Sequence, residues 1–119
     1  MTVELSALIQ EQIERDRRRG FHVDFTTDDE RIDQLMRDLV GLVGEVGEFA
    51  NLLKKIQLAR TTQGYVAPSL DEARSALREE LADAAIYLFR LATVLGGELE
   101  RAIVEKIHLN DQRYRDLER

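Results

Sequence analysis

Two pairs of carboxylates carry the chemistry that this chain offers. Glu45 and Glu48 stand three residues apart within Gly-Leu-Val-Gly-Glu-Val-Gly-Glu-Phe (41–49), and Glu80 and Asp83 stand three apart within Arg-Glu-Glu-Leu-Ala-Asp-Ala-Ala-Ile (78–86). On a helix that spacing puts both members of a pair on one face. The midpoint between the pairs is Gly64, inside 60–69 (Arg-Thr-Thr-Gln-Gly-Tyr-Val-Ala-Pro-Ser), which reads as a loop. If the flanking helices run antiparallel, both pairs lie at the same level of the hairpin and four carboxylates converge. Carboxylates held that close in an apolar setting repel one another and raise each other's pKa unless a cation neutralises them. All-oxygen ligation suits Mg2+, with Mn2+ as a substitute. Most helical Glu and Asp are solvated surface acids. What weighs against that reading here is the matched placement of two pairs about one turn, the pattern of inward-facing carboxylates in metal-binding bundles.

The elements that must position these residues are helical. With one proline and periodic Leu, Ile, Val and Ala, and no β-rich segment, the chain reads as all-α, with helices at about 3–18, 29–58, 70–95 and 98–117. In the first, Leu5, Leu8, Ile9 and Ile13 form one stripe, with Thr2 as the cap and Gly20 as the stop behind the basic run 15–19. Thr27-Asp-Asp-Glu30 and Ser69-Leu-Asp-Glu72 are capping-box signals that start the second and third. Along the second, Ile32, Leu35, Met36, Leu39, Val43, Val46, Ala50 and Leu53 form one stripe, and Leu42, Phe49 and Ile56 widen it. So much apolar surface implies burial on two sides, by the rest of the subunit and by another subunit. The third carries Leu77, Leu81, Ala84, Ala85, Leu88, Leu91, Ala92 and Leu95, and Gly96-Gly97 allows a reversal into the fourth.

Several residues around the acids could serve a phosphate-bearing ligand. Lys106, Asn110 and Arg113 share one stripe of the fourth helix, with Tyr114 beside it, and Lys54 or Lys55 follows Glu48 by two turns. Such residues are commonly an ordinary polar face; alongside a carboxylate cluster they are the donors that a triphosphate needs. Phe21 and Phe25, in the irregular link 20–26, either plug the bundle end or wall a pocket for a nucleobase, which stacks on aromatic faces. His22 has no second histidine nearby and is not expected to bind metal. Gly41, Gly44 and Gly47 each cost about 1 kcal/mol of helix propensity relative to Ala. Either close helix packing or room for metal and phosphate would offset that cost.

At 119 residues the chain is expected to be one domain, 1–119. Its net charge of −6 disfavours a nonspecific nucleic-acid binder, because such binding is driven by neutralising phosphates. Without cysteine it has neither a disulfide nor a thiolate metal site. The start Met-Thr-Val-Glu-Leu-Ser lacks a signal-peptide pattern, and no apolar run approaches membrane-spanning length. A cytoplasmic location and no membrane partner are expected.

Glu45-Val-Gly-Glu48, Glu80-Leu-Ala-Asp83 and the run from Lys106 through Asn110 and Arg113 to Tyr114 together resemble the MazG-type all-α nucleoside triphosphate pyrophosphohydrolases. The nearer likeness is to the dCTP pyrophosphatase-like branch, and it covers about residues 30–115. The resemblance implies a four-helix MazG-like fold that assembles as a homodimer or a dimer of dimers. It implies Mg2+-dependent hydrolysis of a (d)NTP to the monophosphate and pyrophosphate, in a house-cleaning role on the nucleotide pool. Glu45, Glu48, Glu80 and Asp83 would hold the metal, Glu45 and Glu48 being the catalytic candidates, and Lys55, Lys106, Asn110, Arg113 and Tyr114 the substrate-binding ones. The broader family pattern is Glu-Glu-x-x-Glu, and Gly44 stands where its first Glu would be, so a metal-bound water activated by one of the four remaining acids is the expected nucleophile.

Two rivals come from other classes. A di-iron carboxylate bundle uses a Glu-x-x-His motif on each of two helices, whereas this chain has one, Glu105 to His108, and His22 follows Arg19 by three. A non-catalytic oligomeric helical interaction module would use the acids merely to solvate a surface, and it predicts neither metal binding nor turnover.

Overall fold

The computed structural model describes residues 4–118. They form α1 (Leu5–Arg18), α2 (Asp28–Thr61), α3 (Leu70–Leu95) and α4 (Leu99–Arg113), followed by one 3-10 turn, Arg115–Leu117. The fold is all-α, as the periodicity indicates, with no strand among the described residues. The capping chemistry sets the starts. Thr27 Oγ1 accepts the Glu30 backbone N–H at 3.2 Å, and Ser69 and Glu72 cap each other reciprocally at 3.2 and 3.1 Å. Gly96 and Gly97, at φ +80° and +78°, take the chain from α3 into α4 through a conformation other residues avoid.

Some boundaries differ from expectation. Thr2 lies outside the described residues, and α1 begins after Glu4 with no side-chain cap. The second helix runs on to Thr61 because nothing in Gln57–Thr61 breaks it; the backbone turns extended at Thr62. The fourth stops at Arg113 rather than 117, with Tyr114 at φ −109°, ψ 19°. No residue of α4 is buried, so tertiary packing does not hold its last turn.

The hairpin of α2 and α3 is the body of the molecule. Ile56 packs with Ala73 and Leu77 near the turn, with Phe49 and Leu52 against them, and Gly41 faces Tyr87 near the open end, so the two helices run antiparallel. Helix α1 lies on α3, and α4 lies mainly on α1, where Ser6 donates to Glu100 at 2.7 Å.

The broad stripe of α2 does not face this hairpin. Ile32, Met36, Leu39, Val43, Val46 and Leu53 are exposed, Val43 by 62%, and the hairpin is packed instead by the turns carrying Leu42, Phe49, Leu52 and Ile56. On α3, Leu81, Leu88 and Leu95 are likewise exposed. The radius of gyration is 18.4 Å, against about 13.5 Å for a compact chain of this length.

Gly41 is required by packing. A Cβ there would overlap the Tyr87 ring, so Gly41→Ala forces the helices apart or displaces the ring. Although Ala gains about 1 kcal/mol of helix propensity, overpacking of this kind costs about 1–3 kcal/mol. The expected result is a lower thermal midpoint, restored by adding Tyr87→Leu; an unchanged midpoint in the single variant would refute the contact. Around Gly44 and Gly47 a Cβ meets nothing within 4 Å, so within one chain close packing accounts for Gly41 alone.

Candidate functional site

Two helices bring three carboxylates to the middle of the hairpin. Glu45 and Glu48 come from one side of α2 and Glu80 from α3, each offering a carboxylate oxygen within 4.8 Å of the others. Glu45 and Glu80 are half-buried and Glu48 is exposed. Oε2 of Glu45 and Oε2 of Glu80 are buried without a hydrogen-bond partner among the described residues. Ionised carboxylates are acceptors only, so they cannot satisfy each other; a shared proton or a cation can. The Glu45 carboxylate, and next that of Glu48, would accept a hydrogen bond from a protonated Glu80, and this pushes Glu80 from its ordinary 4.5 up to about 7, with desolvation and like charge adding to the rise. Orphaned oxygens converging from two helices fit the donor set of an all-oxygen cation site. The donor set fits a hard divalent metal. Asp83, one turn beyond Glu80, is exposed and lies outside this group of three.

Toward the open end of the hairpin lies a cavity of about 480 Å³, lined by α1, the link 20–25, α2 and α3. Its wall holds an ion pair that joins α1 to α3: Arg90 donates from Nε to Asp16 Oδ2 at 2.8 Å and from an Nη to Oδ1 at 3.0 Å. Gln12 adds a third donor at 3.0 Å. Burial alone would raise the Asp16 pKa, but these hydrogen bonds and the Arg90 charge hold it below the ordinary value. The Arg90 guanidinium also lies over the rings of Tyr87 and Phe21, at 5.2 and 5.8 Å. Phe25 stacks on His22 at 4.4 Å. A second buried acid, Asp38, faces this cavity from α2, and burial raises its pKa.

Relatives with names share most of this chain. It is 39% identical over 98 residues to dCTP pyrophosphatase 1 of Rattus norvegicus, 38% to that of Mus musculus and 37% over 100 residues to that of Homo sapiens, in each case 81% of this chain and 56% of the relative. These relatives point to the MazG-like nucleoside triphosphate pyrophosphohydrolase branch. It spans about half the length of the curated relatives it matches. No family model matches it, and no solved structure does.

Elsewhere in the chain the other expected site residues are scattered. Lys55 is exposed on α2, two turns toward the loop from Glu48. Lys106 and Arg113 are exposed and Asn110 half-buried on α4. Arg113 stacks on Tyr114 at 5.3 Å. Because α4 packs mainly on α1, its donor stripe does not close over the carboxylates of its own chain. Phe21 and Phe25 both line the cavity, which favours the pocket over the plug.

Three functional candidates were not singled out from the sequence: Asp16, Asp38 and Arg90. The signal was present in their register. Asp16 follows Ile13 by three, Asp38 follows Leu35 by three and precedes Leu42 by four, and Arg90 precedes Val94 by four, so each occupies an inward helical position with a charged residue.

Proposed function

We propose that this chain is a pyrophosphohydrolase of the nucleotide pool, hydrolysing a (d)NTP at the α-phosphorus to (d)NMP and pyrophosphate, with dCTP a leading substrate. The observation that carries the reading is the group Glu45, Glu48 and Glu80, orphaned oxygens included, in a chain homologous to dCTP pyrophosphatases. Glu45, Glu48 and Glu80 would hold Mg2+, with Asp83 turning in from the next turn of α3. Bound there, the metal supplies charge neutralisation for the phosphate oxygens and acidifies water. Glu48 is the exposed member, so it meets solvent first and is the carboxylate placed to accept the proton of the attacking water.

The nucleoside extends toward the open end. Asp38 and Glu45 are seven residues apart on α2, as are Asp83 and Arg90 on α3, so about 10 Å along the helix axis separates the carboxylates from the cavity at ~1.5 Å per residue. That separation suits a nucleotide with its phosphates on the acids and its base against Phe21, Phe25 and Tyr87. Lys55, Lys106, Asn110, Arg113 and Tyr114 would bind phosphate or sugar. Those on α4 are best supplied by a second copy of this chain, in a homodimer or a dimer of dimers. The exposed stripe of α2, the uncovered Leu81, Leu88 and Leu95 and the large radius of gyration support such an assembly.

A single domain working in the cytoplasm, without nucleic acid or membrane, completes the reading; no helix among the described residues is long and apolar enough to cross a membrane. The test is pyrophosphate release from a panel of NTPs and dNTPs, with Mg2+ and with EDTA, on material whose mass is measured by light scattering. Expected are metal-dependent release and a mass of at least two chains. No release by a folded, metal-supplied oligomer would favour the non-catalytic interaction module, and a fully active monomer would overturn the shared site.

A further inference from the structure

Among the described residues of the cavity wall, Asp38 carries a buried side-chain oxygen without a hydrogen-bond partner. It is 4% exposed. Its Oδ1 accepts from Gln34 Nε2 at 3.0 Å, while its Oδ2 is buried and has no partner among the described residues. The orientation of the Gln34 amide is not free. Arg37 donates to Gln34 Oε1 through Nε and an Nη, at 3.3 and 3.1 Å, so the amide nitrogen must face Asp38. Arg90 directs its Nε and one Nη to Asp16 and makes no hydrogen bond to Asp38. The chain Arg37, Gln34, Asp38 therefore leaves one acceptor, Oδ2, unpaired on a residue of the wall that also carries Phe21, Phe25 and Tyr87. A buried acceptor left unpaired costs free energy, and native structures almost always fill it.

Resting on the pyrophosphohydrolase reading and deepening it, we infer that Asp38 is a specificity residue whose Oδ2 accepts a hydrogen bond from the exocyclic 4-amino group of an aminopyrimidine base. A carboxylate is the side chain that accepts from the cytosine N4 amine. The same oxygen repels the 4-oxo group of uracil or thymine, which is also an acceptor. A site built to hydrogen-bond one group rejects the analogue lacking it, because its own buried atom is then stranded. The aromatic walls stack either ring equally, so the discrimination belongs to Asp38.

Asp38→Asn makes the inference sharp. Gln34 Nε2 still requires an acceptor at the Oδ1 position, so the Asn amide nitrogen takes the place of Oδ2 and turns the acceptor into a donor. Relative kcat/KM is measured for dCTP, dUTP and the 2-pyrimidinone deoxynucleoside triphosphate, which lacks the 4-amino group without adding bulk. In the wild type dCTP is expected to lead both by about tenfold or more, a factor within reach of one such contact. In Asp38→Asn the lead over the pyrimidinone collapses and dUTP overtakes dCTP. A uniform loss across all three nucleotides would mean a merely structural Asp38, and no preference for dCTP over the pyrimidinone in the wild type would overturn the inference without any variant having to fold. Calorimetric binding of dCMP and dUMP to both proteins, with no metal added, separates this inference from the catalytic one. A dCMP preference lost in the variant, in a protein that turns nothing over, sustains base reading and removes the enzyme. Turnover of nucleotides with equal binding of dCMP and dUMP does the reverse.

Discussion

Replacing Glu80 by Gln should lower metal-dependent pyrophosphate release at least a hundredfold, while leaving the metal-free protein as stable as the wild type or more so. The two effects have one cause. Glu80 is the contribution of α3 to a group whose other members, Glu45 and Glu48, sit on α2, so its loss removes the one carboxylate that the facing helix brings to the group. Residues that merely orient metal ligands already cost 10–100-fold when removed, roughly, and a ligand should cost more. Without metal the same carboxylate is a liability, pressed against two of its own kind. Its folded pKa of about 7 exceeds the ordinary 4.5, so between those values the folded protein holds more protons than the unfolded chain. Stability of the metal-free protein therefore falls as pH rises from about 4.5 to about 7. A bound divalent cation favours the ionised carboxylates, so its stabilisation grows over the same window and is lost on acidification. Thermal melts of wild type and Glu80→Gln at several pH values, with EDTA and with Mg2+, read all of this directly. A variant that still gains stability from Mg2+, or a wild type whose metal-free melting is flat from pH 4.5 to 7, would remove Glu80 from the site.

What the sequence disclosed and what it hid follow one physical rule. Local patterns were legible: the cap at Thr27, the capping box at Ser69, the glycine stop at Gly96-Gly97, and the placement of Glu45, Glu48 and Glu80 about a single turn. These depend on residues a few positions apart or on a hairpin whose length can be counted. Which face of α2 meets α3 was not legible. The apolar surface of α2 implied burial on two sides without saying which side is which; α3 takes the turns of Phe49, Leu52 and Ile56 and leaves Met36, Val43 and Val46 outside. A hydrophobic stripe shows that something will cover it; periodicity carries no information about whether the cover is the same chain. Asp16, Asp38 and Arg90 were hidden for a related reason. A charged residue at an inward position is read as surface until its partner is known, and the partner of Asp16 is 74 residues away. Where Asp83 turns and what the α4 donors meet depend on side-chain choice and on contacts beyond the helix itself, neither of which spacing determines.

Arg90→Ala should be the most damaging single change to the fold, at about 3–5 kcal/mol, the usual cost of removing one partner from a buried ion pair. Asp16 is fully buried and the Arg90 side chain is 23% exposed, so solvent cannot replace the two bonds the guanidinium makes. Gln12 alone would remain on a carboxylate with no cation. The pair also anchors α1, whose buried residues are Ile13 and Asp16, so its loss should loosen α1 from α3 and open the cavity mouth. Lysine at position 90 would restore charge but not the fork, and should recover part of the loss. Removing both charges, as in Asp16→Leu with Arg90→Met, should cost less than Arg90→Ala alone, since the penalty lies in the stranded carboxylate rather than in the missing bond. The pH dependence has the opposite sign to that of Glu80. The folded pKa of Asp16 is depressed, so its stabilisation is fully present above the ordinary value near 3.8 and is lost as pH falls through the lower folded one. Chemical denaturation of the three variants at neutral pH decides the matter. If Arg90→Ala unfolds within about 1 kcal/mol of wild type, or if the double replacement is worse than the single, the pair does not hold α1 in place, and Arg90 is then kept for the cavity it lines, where it lies over the faces of Phe21 and Tyr87.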